Sequence, residues 1–168
     1  MLERLDDIYK LKNITRYNNR LKIKNESVAE HSFFVALLAL DLCTSQHIDN
    51  DTTLKILVKS LLHDMPEIEI NDITHDAKQK LNIGDILKKH EDEYYKTYYP
   101  AFASLMEDNS DNLVNTVVSL ADGLSVVQYC RNEQYLGNNS KDIKDILDEC
   151  TNRVNHYHEK MHRIIEGE

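Results

Sequence analysis

Helical periodicity runs along nearly the whole chain and constrains its fold more than any other feature. Apolar residues recur every three or four positions in six segments, whereas the alternation typical of strands is scarce. Only 4 Gly and 2 Pro interrupt the 168 residues, a length that suits one domain with a real core. We therefore predict an all-α fold, with residues 1–168 forming a single domain of about six helices.

Local signals set the boundaries of these helices. Ser27 and Glu30 form the capping-box pattern at the start of the second helix. Pro66 disfavours helix at the residue before it, so the third helix should end at His63–Asp64. The last helix carries a narrow apolar seam that should pack against one neighbour, in the same chain or in another subunit. The predicted segments span about residues 2–12, 27–45, 51–64, 85–106 with a bend at Pro100, 111–136 and 140–165.

Composition argues against several function classes. The formal net charge is -9 and no basic block occurs, so duplex nucleic acid is not an expected partner. The 3 cysteines all lie in apolar helical patterns, which predicts buried free thiols in a reducing compartment. The N-terminus lacks the layout of a signal peptide, and no stretch approaches about 18 apolar residues. We expect a cytoplasmic protein with no membrane partner.

Three apolar helical stripes each carry a side chain of the kind that binds metals. These are His31 in the second helix, His63 with Asp64 at the end of the third, and Asp122 in the fifth. Taken singly, each fits a hydrogen-bonded core histidine, a helix cap or a solvated carboxylate. Burial of such groups without partners is costly, and one divalent cation would satisfy all four. Two His and two carboxylates suit Mn²⁺, Fe²⁺, Co²⁺, Ni²⁺ or Zn²⁺, so we predict one such ion between the core helices.

The pattern of these residues resembles the motif of the HD-domain metal-dependent phosphohydrolases, and within them that of the YfbR-like 5'-deoxynucleotidase branch. The family pattern H…HD…D falls on His31, His63–Asp64 and Asp122. The strings R-Y-N-N-R, N-E-S-V-A-E-H-S, H-D-M-P-E-I-E-I-N-D-I and L-A-D-G-L support it. The resemblance covers a motif core at about residues 16–137, followed by a C-terminal packing helix at about 140–165. It implies an HD-domain helical bundle, a homodimer, and removal of the 5'-phosphate from (deoxy)nucleoside monophosphates.

The resemblance also suggests roles for five residues around the metal ligands. Glu67 is the first candidate for handling the proton of the attacking water. Asp72 would protonate the leaving oxygen or hold the 3'-hydroxyl of the nucleotide, although it also fits a helix cap or turn. Arg16 offers a forked donor for phosphate. Lys78 is a second phosphate candidate, and Tyr17 would either stack on a base or pack in the core.

Two other functions remain open at this point. A deoxynucleoside triphosphohydrolase would use the same metal set, and extra basic residues at the phosphate end would favour it. Few such residues are present. A non-catalytic nucleotide-binding module of the same fold would be indicated by loss of a metal ligand or of Glu67. The four metal-ligand residues and Glu67 are all present.

Overall fold

The computed structural model describes residues 4–110 and 112–167, apart from the side chain of His75. The first residues of the predicted first and fifth helices therefore fall outside the described residues. Within them the chain forms nine α-helices, two 3-10 helices and one isolated β-bridge, between Thr15 and Ser27. The all-α prediction is confirmed.

The helices follow one another with short connections. Their bounds are α1 (Leu5–Lys10), α2 (Val28–Ser45), α3 (Asn50–Leu62), α4 (Glu67–Ile70), α5 (His75–Leu81), α6 (Gly84–Tyr98), α7 (Ala103–Glu107), α8 (Leu113–Tyr135) and α9 (Lys141–Glu166). The 3-10 helices span Leu11–Asn13 and Pro100–Phe102. Side-chain caps define the starts of the four long core helices, at Ser27 for α2, Asp49 for α3, Asn112 for α8 and Ser140 for α9. The capping box predicted for Ser27 and Glu30 is present.

Helix α8 is the centre of the bundle and packs against α9, α2 and α3. The main core comprises residues from these four helices, among them Val35, Ile56, Val117, Leu120 and Met161, each at most 1% exposed. Burying a side chain of this size contributes about 1.5–3 kcal/mol. Because α2 and α8 lie in this core, their positions fix the geometry of any side chains that they direct toward each other.

The structure divides the predicted fourth helix and adds helices to the stretch before it. Helix α6 ends at Tyr98, a 3-10 turn begins at Pro100, and α7 follows. Proline lacks a backbone N–H and disfavours helix at the residue before it, so the predicted bend is a break. No helix was predicted between residues 64 and 85, where the structure has the short helices α4 and α5.

The apolar seam of α9 packs against α8 in the same chain, which resolves the alternative left open by the sequence. By length and composition only, helices α2 and α8 are long and apolar enough to cross a membrane. Both pack against other helices of the bundle, which accounts for apolar sequence in a core helix.

Candidate active site

The four predicted metal ligands come together where α2, α3 and α8 meet. His31 lies in the second turn of α2 and is fully buried. His63 follows the last residue of α3, Asp64 lies in the turn after it, and Asp122 lies in the middle of α8. One donor atom from each of His31, His63 and Asp122 lies within 4.8 Å of the others.

The distances converge on the two Nε2 atoms. Nε2 of His31 lies 3.2 Å from Oδ1 of Asp122 and 3.7 Å from Oδ2 of Asp64. Nε2 of His63 lies 3.2 Å from the same Asp64 oxygen. Both Nε2 atoms are buried and neither has a hydrogen-bond partner among the described residues. Buried polar atoms usually have partners, so this donor set fits a divalent transition metal that would bind them.

The opposite ring nitrogens indicate how the two imidazoles are oriented. Nδ1 of His63 lies 2.7 Å from the carbonyl oxygen of Ser60, to which it donates. In the neutral ring, Nε2 then carries the free lone pair that a metal needs. Nδ1 of His31 lies 3.2 Å from Oγ of Ser125 and 2.7 Å from Nη1 of Arg16. Since an arginine can only donate, His31 can present a free Nε2 only when Ser125, and not Arg16, is the partner of Nδ1.

The electrostatics of this cluster also favour a bound cation. Burial lowers the pKa of His31, and the nearby Arg16 guanidinium lowers it further, so the imidazole stays neutral as metal ligation requires. Burial also disfavours charged His63, but the Asp64 and Asp122 carboxylates outweigh it and raise the pKa of His63 to about 9. A metal that binds Nε2 of His63 would therefore displace a proton from it. Burial opposes ionisation of Asp64 and Asp122 as well, yet the neighbouring histidines keep the pKa of both carboxyls below the usual value.

Glu67 and Asp72 lie beside the cluster in different environments. Glu67 begins α4, and its Oε2 is buried without a hydrogen-bond partner among the described residues. Burial raises the pKa of Glu67 to about 9, with the negative charges of Asp64 and Asp72 adding to the effect. Asp72 accepts a hydrogen bond of 2.8 Å from the backbone N–H of Tyr17. Oε2 of Glu67 thus has no partner among the described residues, whereas Asp72 is anchored to the loop before α2.

That loop, residues 14–27, places Arg16 and Tyr17 at the site. Its ends are joined by the Thr15–Ser27 bridge. Nη1 of Arg16 donates to Oε2 of Glu26 at 3.0 Å. Tyr17 adopts a left-handed backbone conformation, with φ of 53°, and its ring stacks on Tyr129 with centroids 5.5 Å apart. The packing role considered for Tyr17 is therefore present in the structure.

All of the predicted site residues line one cleft of about 320 Å³, except His31, which is buried behind it. Lys78 of α5 lines this cleft with Arg16, Tyr17, Glu67 and Asp72. The structure therefore brings together the predicted metal ligands and the predicted substrate-binding residues. Their individual roles stay predictions.

Several cleft residues were missed by sequence reasoning, among them Arg20, Glu149 and Arg153. Arg20 forms ion pairs with Asp76 and with Asp142, the latter at 3.3 Å. Glu149 and Arg153 lie on α9, beside its apolar seam. Polar residues next to a seam look like a solvated helix face, so the sequence carried no signal for them.

Comparison with known proteins identifies the family. The model of the family described as 5'-deoxynucleotidase YfbR-like matches residues 5–164. The chain belongs to this family. The prediction from the H…HD…D pattern is confirmed, together with the enzyme class of the family, metal-dependent nucleotide phosphohydrolase.

The individual proteins that are similar to this chain have low sequence identity to it. The dATP triphosphohydrolase of Salmonella phage PMBT28 is 29% identical over 73% of this chain, which spans 63% of that enzyme's length. The 4'-phosphooxetanocin A phosphatase of Priestia megaterium is 23% identical over 88% of this chain and 84% of its own length. The solved HD phosphohydrolase of cyanophage S-2L, bound to dA and one catalytic Zn²⁺ ion, has a TM-score of 0.73 at 16% identity. It covers 98% of this chain and 97% of its own, which shows a shared fold.

Proposed function

We propose that this protein removes the 5'-phosphate from (deoxy)nucleoside monophosphates with the help of one divalent transition metal. One observation carries the proposal. The unpartnered Nε2 atoms of His31 and His63 lie beside Asp64 and Asp122, and Glu67, whose Oε2 is buried without a partner among the described residues, lines the same cleft. Membership of the YfbR-like family supports the reaction, and the Zn²⁺ of the cyanophage relative supports a transition metal.

The metal ligands would be His31, His63, Asp64 and Asp122. When bound, the ion supplies Lewis-acid polarisation of a phosphoryl oxygen and makes a water molecule more acidic. Co²⁺, Mn²⁺, Ni²⁺, Fe²⁺ and Zn²⁺ all suit a set of two imidazoles and two carboxylates. The identity of the ion is best decided by reconstitution, because these ions share ligand preferences.

Glu67 is proposed to take the proton of the attacking water. Its high pKa reflects burial and neighbouring negative charge, and a cation held by the adjacent ligands would lower that pKa by favouring the carboxylate. Water attacks phosphorus, the bond from phosphorus to the 5'-oxygen breaks, and the 5'-oxygen takes a proton to become the hydroxyl of the nucleoside. Asp72 would donate that proton or hold the 3'-hydroxyl of the sugar.

Arg16 and Lys78 are proposed to bind the phosphate from the two walls of the cleft. Arg16 belongs to the 14–27 loop and Lys78 to α5. Release of Arg16 from Nδ1 of His31 would serve two purposes, since it frees a forked donor for phosphate and lets Ser125 accept from His31. Tyr17 is proposed to contact the sugar or base at the edge of its ring, because one face of the ring is occupied by Tyr129.

A deoxynucleoside triphosphohydrolase is the second candidate. The similarity to the phage dATP triphosphohydrolase favours it, as do Arg20 and Arg153, which add positive charge along the cleft. Arg20 is paired with two carboxylates and Arg153 with Asp122, so less charge is available for two further phosphates. This pairing makes the monophosphatase the better supported function.

A turnover assay with defined products tests these proposals. The metal-free protein is reconstituted with each of the five ions and supplied with deoxy- and ribonucleoside mono- and triphosphates. Release of inorganic phosphate from monophosphates is expected, and the Glu67→Gln variant should lose it while still binding metal. Release of triphosphate would favour the second candidate. If no ion supports turnover, a non-catalytic nucleotide-binding module becomes the correct description.

We also propose that the protein is a homodimer joined through the outer face of α2. Phe33, Phe34, Leu37 and Leu40 are exposed on this helix, whereas the seam of α9 is already covered by α8. Sedimentation should show a dimer that Leu37→Glu dissociates, while Leu81→Glu, at an exposed leucine of α5, leaves it intact. A monomeric wild-type protein would disprove the dimer.

A cytoplasmic location and the absence of membrane or duplex nucleic-acid partners complete the proposal. The free thiols of Cys43 and Cys130 are buried, as expected in a reducing compartment. The net charge of -9 opposes binding to phosphate backbones and to anionic lipid surfaces. Cell fractionation tests the location, and recovery in a membrane fraction would contradict it.

A further inference from the structure

Arg153 of helix α9 contacts the metal-ligand cluster. Nη2 of Arg153 donates a hydrogen bond of 2.8 Å to Oδ2 of Asp122. The other oxygen of this carboxylate, Oδ1, faces Nε2 of His31 at 3.2 Å. The two carboxylate oxygens of Asp122 thus have different neighbours, since Oδ1 faces His31 and Oδ2 faces the C-terminal helix.

The residue after Asp122 allows α9 to approach this closely. A Cβ atom added at Gly123 would lie 2.9 Å from Cγ2 of Val154 and 3.6 Å from Nε of Arg153. At the first distance, a Cβ atom would force Val154 or the helix backbone to shift. Gly123 therefore permits a contact between α8 and α9 that brings the Arg153 guanidinium beside Asp122.

An ordinary surface ion pair is the alternative explanation for this contact. Such pairs contribute about 0–1 kcal/mol to stability and do not affect a site. The Arg153 side chain is 41% exposed, but that of Asp122 is only 25% exposed, and both line the cleft beside the other site residues. A carboxylate that binds a metal commonly needs a hydrogen bond to its second oxygen, which fixes its orientation.

We propose that Arg153 is a positioning residue that holds Asp122 with Oδ1 directed at the metal. It acts through Asp122 and not on the substrate. The C-terminal helix, expected from the sequence to serve only for packing, thereby becomes part of the metal centre. The inference rests on the proposed function only in that a divalent ion must bind at this cluster.

Metal affinity of the purified full-length protein tests the inference without relying on turnover. Metal-free wild type, Arg153→Met and Arg153→Lys are titrated with Mn²⁺ and with Zn²⁺ in a calorimeter. Loss of an outer hydrogen bond to a ligand typically weakens metal binding by about 10–100-fold, and this is expected for Arg153→Met. Arg153→Lys keeps a donor and should recover part of the affinity. Arg163→Gln, at an exposed arginine of the same helix, is the matched control and should bind as wild type does.

The outcomes distinguish three roles for Arg153: positioning of Asp122, packing of α9, and repulsion of the metal ion by its charge. A lower melting temperature of Arg153→Met with unchanged metal affinity would mean that the arginine only packs α9, and would overturn the inference. Tighter binding by Arg153→Met would overturn it as well, because the arginine would then act by repelling the cation. Failure of the wild type to bind either ion would instead refute the proposed function itself, and the inference with it.

Discussion

Glu133 is the residue whose replacement should most clearly reveal how the loop at residues 14–27 is held. It lies near the end of α8 and is only 1% exposed. Its carboxylate accepts hydrogen bonds of 2.7 Å from the backbone N–H groups of Ile23 and Lys24 and from the amide of Asn138. We expect Glu133→Gln to loosen the loop that carries Arg16.

The size of the effect follows from these three bonds. Hydrogen bonds to a charged group contribute about 1.5–3 kcal/mol each, and neutral ones about 0.5–1.5 kcal/mol. The Gln amide keeps one acceptor oxygen and places an NH₂ group against at least one backbone N–H. One bond is lost and two lose their charge, so the free energy of unfolding should fall by about 4 kcal/mol. For a domain of this size that is roughly 8–16 °C in melting temperature.

Urea unfolding followed by circular dichroism measures this change directly. Glu159→Gln, at an exposed glutamate of α9, is the matched control and should stay within about 0.5 kcal/mol of wild type. A loss below about 1 kcal/mol for Glu133→Gln would refute the reasoning, because it would mean that the buried carboxylate adds little to the stability of the loop.

Three further predictions follow from other contacts. The hydrogen bonds to Glu133 outweigh burial and lower its pKa. The stability that its carboxylate contributes is therefore present above the ordinary glutamate pKa of about 4.3 and is lost as pH falls through the lower pKa of the folded state. Urea unfolding across pH should show that the difference in stability between wild type and Glu133→Gln narrows only below about pH 4.3. Gly123→Ala should cost about 1–2 kcal/mol in the wild type but little when Val154 is also Ala; equal costs in this double-mutant cycle would contradict the close approach of α8 and α9. Ser27→Ala removes the hydroxyl that accepts from the N–H of Glu30 and should lower thermal stability by about 1 kcal/mol, and an unchanged melting curve would show that the cap is not needed.

The long helices could be predicted from the sequence because each has both a periodic apolar face and a cap. The predicted segment 27–45 corresponds to Val28–Ser45, and 140–165 corresponds to Lys141–Glu166. The short helices α4, α5 and α7 were not separately predicted. Each has at most two turns, which is too short for periodicity to show.

The metal ligands were predictable for a related reason. Each of His31, Asp64 and Asp122 interrupts an apolar pattern and is therefore expected to be buried. A buried polar side chain needs a binding partner, and none lies nearby in the sequence. Arg153 carried no such signal, because it lies beside the seam of α9 and far in sequence from Asp122. Its contact arises only when α8 and α9 pack, and it depends on the small size of Gly123.

The arrangement of the site separates the reaction from the choice of substrate. Most of the metal-ligand positions lie on or directly after long core helices, where a shift of any ligand would disturb the whole bundle. Arg16, Tyr17 and Asp72 lie outside these helices, and they are joined by the hydrogen bond from the Tyr17 N–H to Asp72. Because this bond uses the backbone of Tyr17, substitution of the ring can alter contacts to base or sugar without releasing Asp72. Under the proposed function, the core helices would hold the groups for hydrolysis, and changes in the loop at residues 14–27 would alter which nucleotide the cleft accepts.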